Sequence, residues 1–465
     1  MDQSIPMQDR NQETPSWVYI NGLGERDQQN VTESDVLTAI SFDKTGEFLA
    51  VGDKGGRVIV FRYNELKNSR YFDYRYFTEI QSHEPEFDHL KAIELDEKIN
   101  SIEFTNNKNS NLQMLTTNDR IIKLWKIEYK VHRQSQRCQI NNGILNIPKS
   151  QIVGEGYEGI EKKQYKNCHN YNINSLSMSP DGENFLSADD LRVNLWSMEN
   201  NLLAFNIVDL KPPNIEELAE VITHVEYHPV RSDIFLFSSS KGYICACDMR
   251  QNSQFDKCST FFMVEEDPSR KHFFTDIINS VSRAKFSPVN DNYIFSRDYL
   301  GVQIWDIRNT KMPFKTYNVT DYLEKKLCEV YESETIFDKF DLQISPDSNL
   351  VLTGSYNSNV HVIDVQNQQN CTIDVKYMDK RGKNVGQVRN YKNKRVQGVL
   401  SNQNGDPVKI DMSQKITLGT WHPKENTFAV AKHNSLFLYT QKRSNNSANP
   451  SHSGSSGHYQ RMQIS

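Results

Sequence analysis

The sequence lacks any long apolar run. Hydrophobic residues make up 37% of the 465 residues, but they occur in short stretches, far below the ~20 apolar residues that cross a bilayer. The first residues, MDQSIPMQDRNQETPSW, contain neither a basic segment nor an apolar core, so no secretory signal is visible. We therefore expect a cytosolic protein, with a nuclear fraction, that does not insert into membranes.

Cysteine is sparse as well. The seven cysteines are scattered and odd in number, which predicts reduced thiols in a chain without a secretory signal. Cys245 and Cys247 stand two residues apart in YICACD, so in a strand both side chains share one face and pack into the core. A zinc site needs further ligands close by, and this stretch offers none. We expect no metal and no cofactor.

Strong charge of one sign and the common catalytic motifs are also missing. The net charge of −5 argues against a nucleic-acid partner bound through bulk charge and leaves room for an acidic patch that attracts basic peptides. The sequence has no P-loop, H-E-x-x-H or G-x-S-x-G motif. GEGYEG at 154–159 matches a dinucleotide-binding pattern, but no helix signal follows it. Nothing in the sequence indicates catalysis.

The sequence does contain a repeat. Each copy has an alternating strand, a turn, a short apolar strand, a second turn and a third alternating strand. Most of the first turns are rich in Pro, Asp, Asn and Gly, which stabilise tight turns. The copies span residues 37–61, 99–125, 173–196, 222–247, 281–305, 340–363 and 416–439.

Repeats made only of strands are typical of WD-repeat propellers, in which each repeat supplies one four-stranded blade. The sequence therefore predicts an all-β, seven-bladed WD-repeat β-propeller over residues 34–440. Because no outer strand is recognisable before the first repeat, we expect strands from both ends of the chain to close the ring. Residues 1–33 and 441–465 are predicted to be disordered tails.

Two long polar insertions interrupt the array. Residues 128–171 lie between the second and third repeats, and residues 364–414 lie between the sixth and seventh. The second insertion has a basic middle, which we interpret as a solvated loop or, alternatively, as a nuclear-localisation or anion-binding segment. Shorter connections contain helix signals within 207–221 and around Tyr322 to Val330.

The stretch LSADDLRVNLW at 186–196 places two carboxylates directly before a strand. A turn aspartate at this point accepts hydrogen bonds from the backbone or from a histidine and so fixes the hairpin. We align Asp190 with the aspartates that precede the third strand in other repeats, namely Asp53, Asp119 and Asp298.

The loops carry more distinctive motifs than the blades. They include SHEPEFDHLKAIELDEKIN (82–100), FNIVDLKPPNIEELAEVIT (205–223), EDPSRKHFFTDII (266–278), RDYLGVQIWD (297–306), IFDKF (336–340) and WHPKEN (421–426). Over residues 34–440 the chain thereby resembles the B-type, fifty-five-kilodalton regulatory subunits of protein phosphatase 2A.

This resemblance implies a regulatory subunit without catalytic activity of its own. Such a propeller docks on a helical-repeat scaffold subunit, lies beside the catalytic subunit and selects phosphoprotein substrates. It also implies that residues 128–167 form an arm that grips the scaffold, although their sequence departs from the family pattern.

The resemblance further implies a substrate groove with an acid, an apolar pocket and an aromatic rim. Asp190 and Glu216 would pair with Arg or Lys of a ligand, while Leu218 and a Phe pair would hold an apolar helix face. Taken singly, each residue also has a structural interpretation, as turn, helix-packing or core residue. The matching positions in SADDL, NIEEL, HFF, VYES and IFDKF are Asp190, Glu216, Leu218, Phe273, Phe274, Tyr331, Phe337 and Lys339.

Two other functions are compatible with the repeat. A WD adaptor of another complex, such as a ubiquitin-ligase substrate receptor, would co-purify with ligase subunits instead of a phosphatase scaffold. A propeller enzyme would need a convergent polar pocket in the central channel, which the sequence does not show.

Overall fold

The computed structural model describes residues 17–25, 31–65, 72–88, 92–105, 112–135, 140–141, 144–145, 150–251, 260–265, 272–367, 369–375, 389–391 and 410–441. Within these ranges the chain forms seven antiparallel blades, of four strands each except blade 6, which has five. The predicted seven-bladed, all-β propeller is confirmed.

We number the blades along the chain and call their strands a to d. Blade 1 consists of Leu37–Phe42, Phe48–Asp53, Arg57–Glu65 and Phe72–Gln81; blade 2 of Ser101–Phe104, Leu112–Thr117, Ile122–Ser135 and Ser150–Tyr165; blade 3 of Ser175–Met178, Asn184–Ala188, Arg192–Ser197 and Ala204–Asp209. Blade 4 consists of Ile222–Tyr227, Ile234–Ser239, Tyr243–Asp248 and Thr260–Met263; blade 5 of Arg283–Phe286, Tyr293–Arg297, Gly301–Asp306 and Lys315–Asn318. Blade 6 consists of Leu342–Ile344, Leu350–Gly354, Asn359–Asp364, Gln369–Asp374 and Arg389–Tyr391; blade 7 of Leu418–Trp421, Thr427–Lys432, Ser435–Gln441 and Trp17–Leu23.

Short elements lie between the blades. Two small hairpins are formed by Glu86–Asp88 with Ile93–Leu95 and by Ile140–Asn141 with Ile144–Leu145. The described helices are the 3₁₀ turns Glu33–Asp35, Ile215–Glu217, Asp321–Lys326 and Thr335–Phe337 and the α-helices Thr275–Ile278 and Leu327–Glu332. None of them has the length and hydropathy that a membrane crossing requires. The helix signals in the two connections are confirmed.

The core lies between neighbouring blades. Strand a of every blade contacts strand a of the next, and strand a of blade 7 contacts that of blade 1, so these strands form the inner ring. Alternating side chains of one sheet pack on those of the next, as Val58 and Val60 of blade 1 do with Met114 and Trp125 of blade 2. Because all of these side chains are buried, no blade completes its apolar layer alone.

Both ends of the chain close the ring. Trp17–Leu23 pairs antiparallel with Ser435–Gln441, from Trp17 opposite Gln441 to Leu23 opposite Leu436. The indole of Trp17 is buried, with its ring centroid 4.9 Å from that of Phe428. The predicted closure is confirmed, but the prediction of a disordered tail over 1–33 is wrong for this strand and for the 3₁₀ turn Glu33–Asp35.

Both insertion boundaries also need correction. Residues 128–171 include the end of strand c and all of strand d of blade 2, so the first insertion is the extended c–d hairpin of that blade. Residues 369–374 are strand d of blade 6, and Arg389–Tyr391 adds a fifth strand beside it. Most of the basic positions of 364–414, and residues 442–465 of the predicted tail, lie outside the described residues.

The hairpin of blade 2 is braced against blade 1. Thr78 Oγ1 donates to the carbonyl of Tyr157 at 2.7 Å, and the rings of Phe77 and Tyr157 are 4.4 Å apart. A Cβ at Gly159 would lie 2.4 Å from Cδ1 of Ile80. The last glycine of GEGYEG therefore permits close packing of two strands, and the motif is part of a strand.

The turn before strand c of blade 3 is fixed by Asp189. Its Oδ1 accepts the backbone N–H groups of Leu191 and Arg192 at 2.8 and 2.7 Å, and its Oδ2 lies 2.9 Å from Nδ1 of His169. Nε2 of the same imidazole lies 2.6 Å from Oγ of Ser187, which also accepts the indole N–H of Trp196. This buried chain ties the blade 2–3 connection to two strands of blade 3.

The alignment of Asp190 with Asp53 and Asp298 is therefore wrong by one residue, whereas its alignment with Asp119 is correct. Asp53 and Asp298 accept the turn N–H groups in blades 1 and 5, as Asp189 does in blade 3. In blade 2 this acceptor is Asn118. Asp119 and Asp190 come one position later.

Candidate functional site

The strand order places all eight predicted site residues on one face. Because neighbouring strands are antiparallel, the b–c turns and the connections from strand d to the next strand a emerge on the same side, which we call the top face. Asp190 lies in the b–c turn of blade 3, and Glu216 and Leu218 lie in the blade 3–4 connection. The blade 4–5 connection carries Phe273 and Phe274, and the blade 5–6 connection carries Tyr331, Phe337 and Lys339.

Four of these residues form one aromatic cluster. The ring of Phe273 lies 5.1 Å from that of Phe274 and 5.6 Å from that of Tyr331, both nearly perpendicular. Tyr331 also lies 5.7 Å from Phe274 and 6.1 Å from Phe337. Edge-to-face pairs at these distances stabilise one another. The side chain of Phe273 is nevertheless 70% exposed and that of Phe337 57% exposed.

A buried platform holds the aromatic cluster. In the helix Leu327–Glu332, Leu327 and Val330 point into the protein while Tyr331 points outward. Phe274 packs on the same apolar group, which includes Ile336, Phe340 and Tyr356. Tyr356 donates to the carbonyl of Thr335 at 2.8 Å, so blade 6 fixes the turn that carries Phe337.

A strut from the end of the second insertion supports the platform. We use this name for residues 410–415. Thr335 Oγ1 lies 3.2 Å from Sδ of Met412, and Lys415 forms an ion pair with Asp338. The backbone N–H of Asp411 donates to Asn357 Oδ1 at 2.6 Å. The strut therefore joins the blade 6 turn to the residues beside Phe337. The sequence before the strut is polar and has no periodicity, so the supporting role of the strut is recognisable only from its contacts in the structure.

Asp190 is the available carboxylate of its turn. Its backbone carbonyl accepts the N–H of Ile222 at 2.7 Å, while its half-buried side chain has no hydrogen-bond partner among the described residues. Burial raises the pKa of the Asp190 carboxyl, an effect that Lys339 opposes and the negative charge of Asp189 reinforces. Lys339 thus lies within electrostatic reach of Asp190, so this part of the top face carries both signs of charge.

Lys339 is solvent-exposed yet electrostatically perturbed. Desolvation lowers the pKa of its ammonium, Asp190 opposes this shift, and Arg283 and Lys98 reinforce it. The side chain nevertheless reaches solvent, so Lys339 is not buried within the core.

Glu216 and Leu218 lie on and directly after an exposed 3₁₀ turn of the blade 3–4 connection. Asn214 caps the 3₁₀ turn by accepting the N–H of Glu216 at 3.3 Å, and both side chains face solvent. The turn leads directly into Ile222, whose N–H bonds to Asp190. Ring contacts therefore unite the four aromatic residues, and charge couples Asp190 to Lys339. The structure links Glu216 and Leu218 to Asp190 through their connection, which bonds to Asp190 at Ile222.

The arrangement suits non-covalent recognition. It offers an exposed apolar surface, a carboxylate and an ammonium on one face of the propeller, which can hold an amphipathic segment with a charged edge. Among the described residues, no group of three or more His, Cys, Asp and Glu side chains is placed to hold a metal ion.

Comparisons with known proteins agree with the architecture. The family model described as "WD domain, G-beta repeat" matches residues 161–197 and 337–364. A crystal structure of Raptor from Chaetomium thermophilum is similar over 92% of this chain, with a TM-score of 0.55 and 14% sequence identity. This chain covers 29% of the Raptor chain. At that identity the likeness shows the fold alone.

The WD-repeat matches and the seven blades support a WD-repeat protein. Propellers of this type are generally non-catalytic modules that bind other proteins, so a role in protein interaction or scaffolding is the general function that these findings support.

Proposed function

We propose that this WD-repeat protein is a non-catalytic regulatory and substrate-targeting subunit of a heterotrimeric, cytosolic serine/threonine protein phosphatase 2A. It would dock on the scaffold subunit beside the catalytic subunit and recruit phosphoprotein substrates through the top-face groove. The observation that carries the proposal is the aromatic cluster. Motifs from two separate connections, HFF and IFDKF, supply rings that both contact the ring of Tyr331.

The exposure of the aromatic cluster favours a binding role over a structural one. The apolar platform beneath it is already buried without the outer faces of Phe273 and Phe337. Clustered aromatic surface left in water is typical of a protein-binding site. The adjacent Asp190 would pair with an Arg or Lys of the docked segment.

The second support is the separation of two surfaces. The c–d turns emerge on the face opposite the top face, so the extended c–d hairpin of blade 2 projects away from the aromatic cluster. Its bracing against blade 1 through Thr78 and Tyr157 gives it a defined direction. A scaffold gripped by this hairpin would leave the top-face groove open for substrate.

The test is affinity purification of the tagged full chain, with partners identified by mass spectrometry. We expect a helical-repeat phosphatase scaffold and a phosphatase catalytic subunit to co-purify. A double variant, Phe273→Ala with Phe337→Ala, should keep both subunits and lose bound phosphoproteins. Phe205→Ala, which removes another exposed phenylalanine from the outer strand of blade 3, is the matched control. Recovery of ligase subunits without a phosphatase scaffold would refute the proposal.

A further inference from the structure

The top mouth of the central channel collects cations from three blades. Because every strand a begins at the top face and lies in the inner ring, residues at its start border the channel mouth. Lys98 precedes strand a of blade 2, Arg283 begins that of blade 5, and Lys339 precedes that of blade 6.

Side-chain contacts hold together the segments that carry two of these cations. Ser282 Oγ donates to the carbonyl of Phe340 at 2.9 Å, and Arg283 Nε lies 3.3 Å from Oδ1 of Asp341. Residues 282–283 are thereby fixed beside residues 339–341. Lys98 and Lys339 both precede an inner-ring strand at the same mouth, and the charge of Lys98 adds to the lowering of the pKa of Lys339.

The charges at the mouth are not fully paired. Arg283 has Asp341 as a partner, but neither Lys98 nor Lys339 has an ion-pair partner among the described residues. Asp190 is the carboxylate whose charge opposes the lowering of the pKa of Lys339. Converging like charges cost free energy, which a bound anion would recover.

We infer that Lys98, Arg283 and Lys339 form an oxyanion site at the top mouth of the channel, which accepts a phosphoryl group carried by a docked polypeptide. Lysine ammonium groups bind phosphoryl oxygens as point charges, and Arg283 can add directed N–H donors. Tyr331 and Phe337 of the aromatic cluster share the blade 5–6 connection with Lys339, so a segment held by these rings can place such a group here. The inference goes beyond the proposed function, since it concerns the chain itself, whichever complex it joins.

The experiment titrates the full chain, without any phosphatase subunit, with inorganic diphosphate and separately with N-acetyl-phosphoserine amide, by isothermal calorimetry. We expect both to bind and to compete. Lys339→Gln and Lys98→Gln should each weaken diphosphate binding by about fivefold, the effect of one partly exposed charge pair. Lys339→Arg should retain it, and Asp190→Asn should tighten it by removing a repulsive carboxylate.

Lys241→Gln is the matched control, because Lys241 lies on the same face but is paired with Glu220. If Lys241→Gln weakened diphosphate binding as much as Lys339→Gln, the binding would reflect general surface charge and the proposed site would be wrong. The absence of diphosphate binding would also overturn the site. Binding of diphosphate without the phosphoserine probe would overturn the polypeptide-borne ligand. Circular dichroism of each variant separates lost binding from lost folding.

Discussion

His169 Nδ1 lies 2.9 Å from Asp189 Oδ2, and this contact decides which carboxylate of the SADDL turn is available for a ligand. Asp189 is fully buried and its oxygens are used within the blade. Asp190 bonds through its backbone carbonyl, and its half-buried carboxylate stays at the top face. The two adjacent aspartates therefore have separate tasks, which mutation can distinguish.

Asp190→Lys should weaken substrate recruitment without affecting assembly of the complex. A charge-assisted hydrogen bond from Arg contributes about 1.5–3 kcal/mol, so reversing the charge should lower substrate affinity by at least ~10-fold. A paired pull-down scores scaffold and substrate separately. Loss of both would show that Asp190 is structural, and retention of both would place the groove elsewhere.

Asp189→Ala should act on stability instead. It leaves the N–H groups of Leu191 and Arg192 and the imidazole of His169 without their buried acceptor, at a cost of about 2–4 kcal/mol. Chemical denaturation measures the loss, with Asp190→Ala as the control. A stable Asp189→Ala protein would contradict the assigned role.

Recruitment of a basic ligand should depend on pH through Asp190. Its pKa is raised in the folded protein, first by burial and further by Asp189, against the opposing charges of Lys339 and Arg120. The ligand needs the carboxylate, so affinity should be full above the raised pKa and decline as pH falls through it, earlier than for an ordinary aspartate. In Asp190→Asn this dependence should disappear. An unchanged pH profile in that variant would assign the titration to another group.

The strut should position the aromatic cluster. Met412→Ala removes the sulfur that contacts Thr335 and should weaken substrate binding by about threefold to tenfold while costing the whole fold only ~1 kcal/mol. Met412→Leu should restore binding, since it refills the apolar space. Near-ultraviolet circular dichroism reports the packing of the rings. Unchanged binding in Met412→Ala would mean that the platform holds the rings without the strut.

Removal of the closing strand should destabilise the whole ring. Deleting residues 17–23 exposes the edge of Ser435–Gln441 and uncovers the layer around Trp421 and Phe428. Exposed apolar edges promote aggregation, and Trp17→Ala alone should cost about 3–5 kcal/mol. Deletion of residues 1–16 serves as the control. Solubility and thermal midpoint decide the outcome, and a soluble, folded protein without 17–23 would refute closure.

The repeated strands a to c were predictable because their pattern is local. In each of these strands, successive side chains are buried on alternate faces of the sheet, and turn residues bound the strand. The same sequence pattern therefore recurs in every repeat. Strand d is different. It is the outer strand, half exposed, and its polar residues made Ser150–Tyr165 and Gln369–Asp374 resemble insertions.

The site could be predicted only in part. Its residues followed from a resemblance, whereas their grouping depends on two connections more than fifty residues apart, as for Phe273 and Tyr331. Which of Asp189 and Asp190 is buried in the turn depends on a contact with His169, twenty residues upstream in a polar stretch. Sequence spacing alone does not fix such contacts, because they arise only when the blades pack around the ring.

The pairing of Trp17–Leu23 with Ser435–Gln441 also has a consequence during synthesis. A ribosome adding ~5–20 residues per second needs roughly 20–80 seconds to make the chain between the two strands. Throughout that time the nascent first strand has no partner, and six blades can stack without the seventh being complete. A chaperone that shields the Trp17 segment until the last strand emerges would determine the yield of native protein, and any premature stop codon before Ser435 would release a ring that cannot be closed.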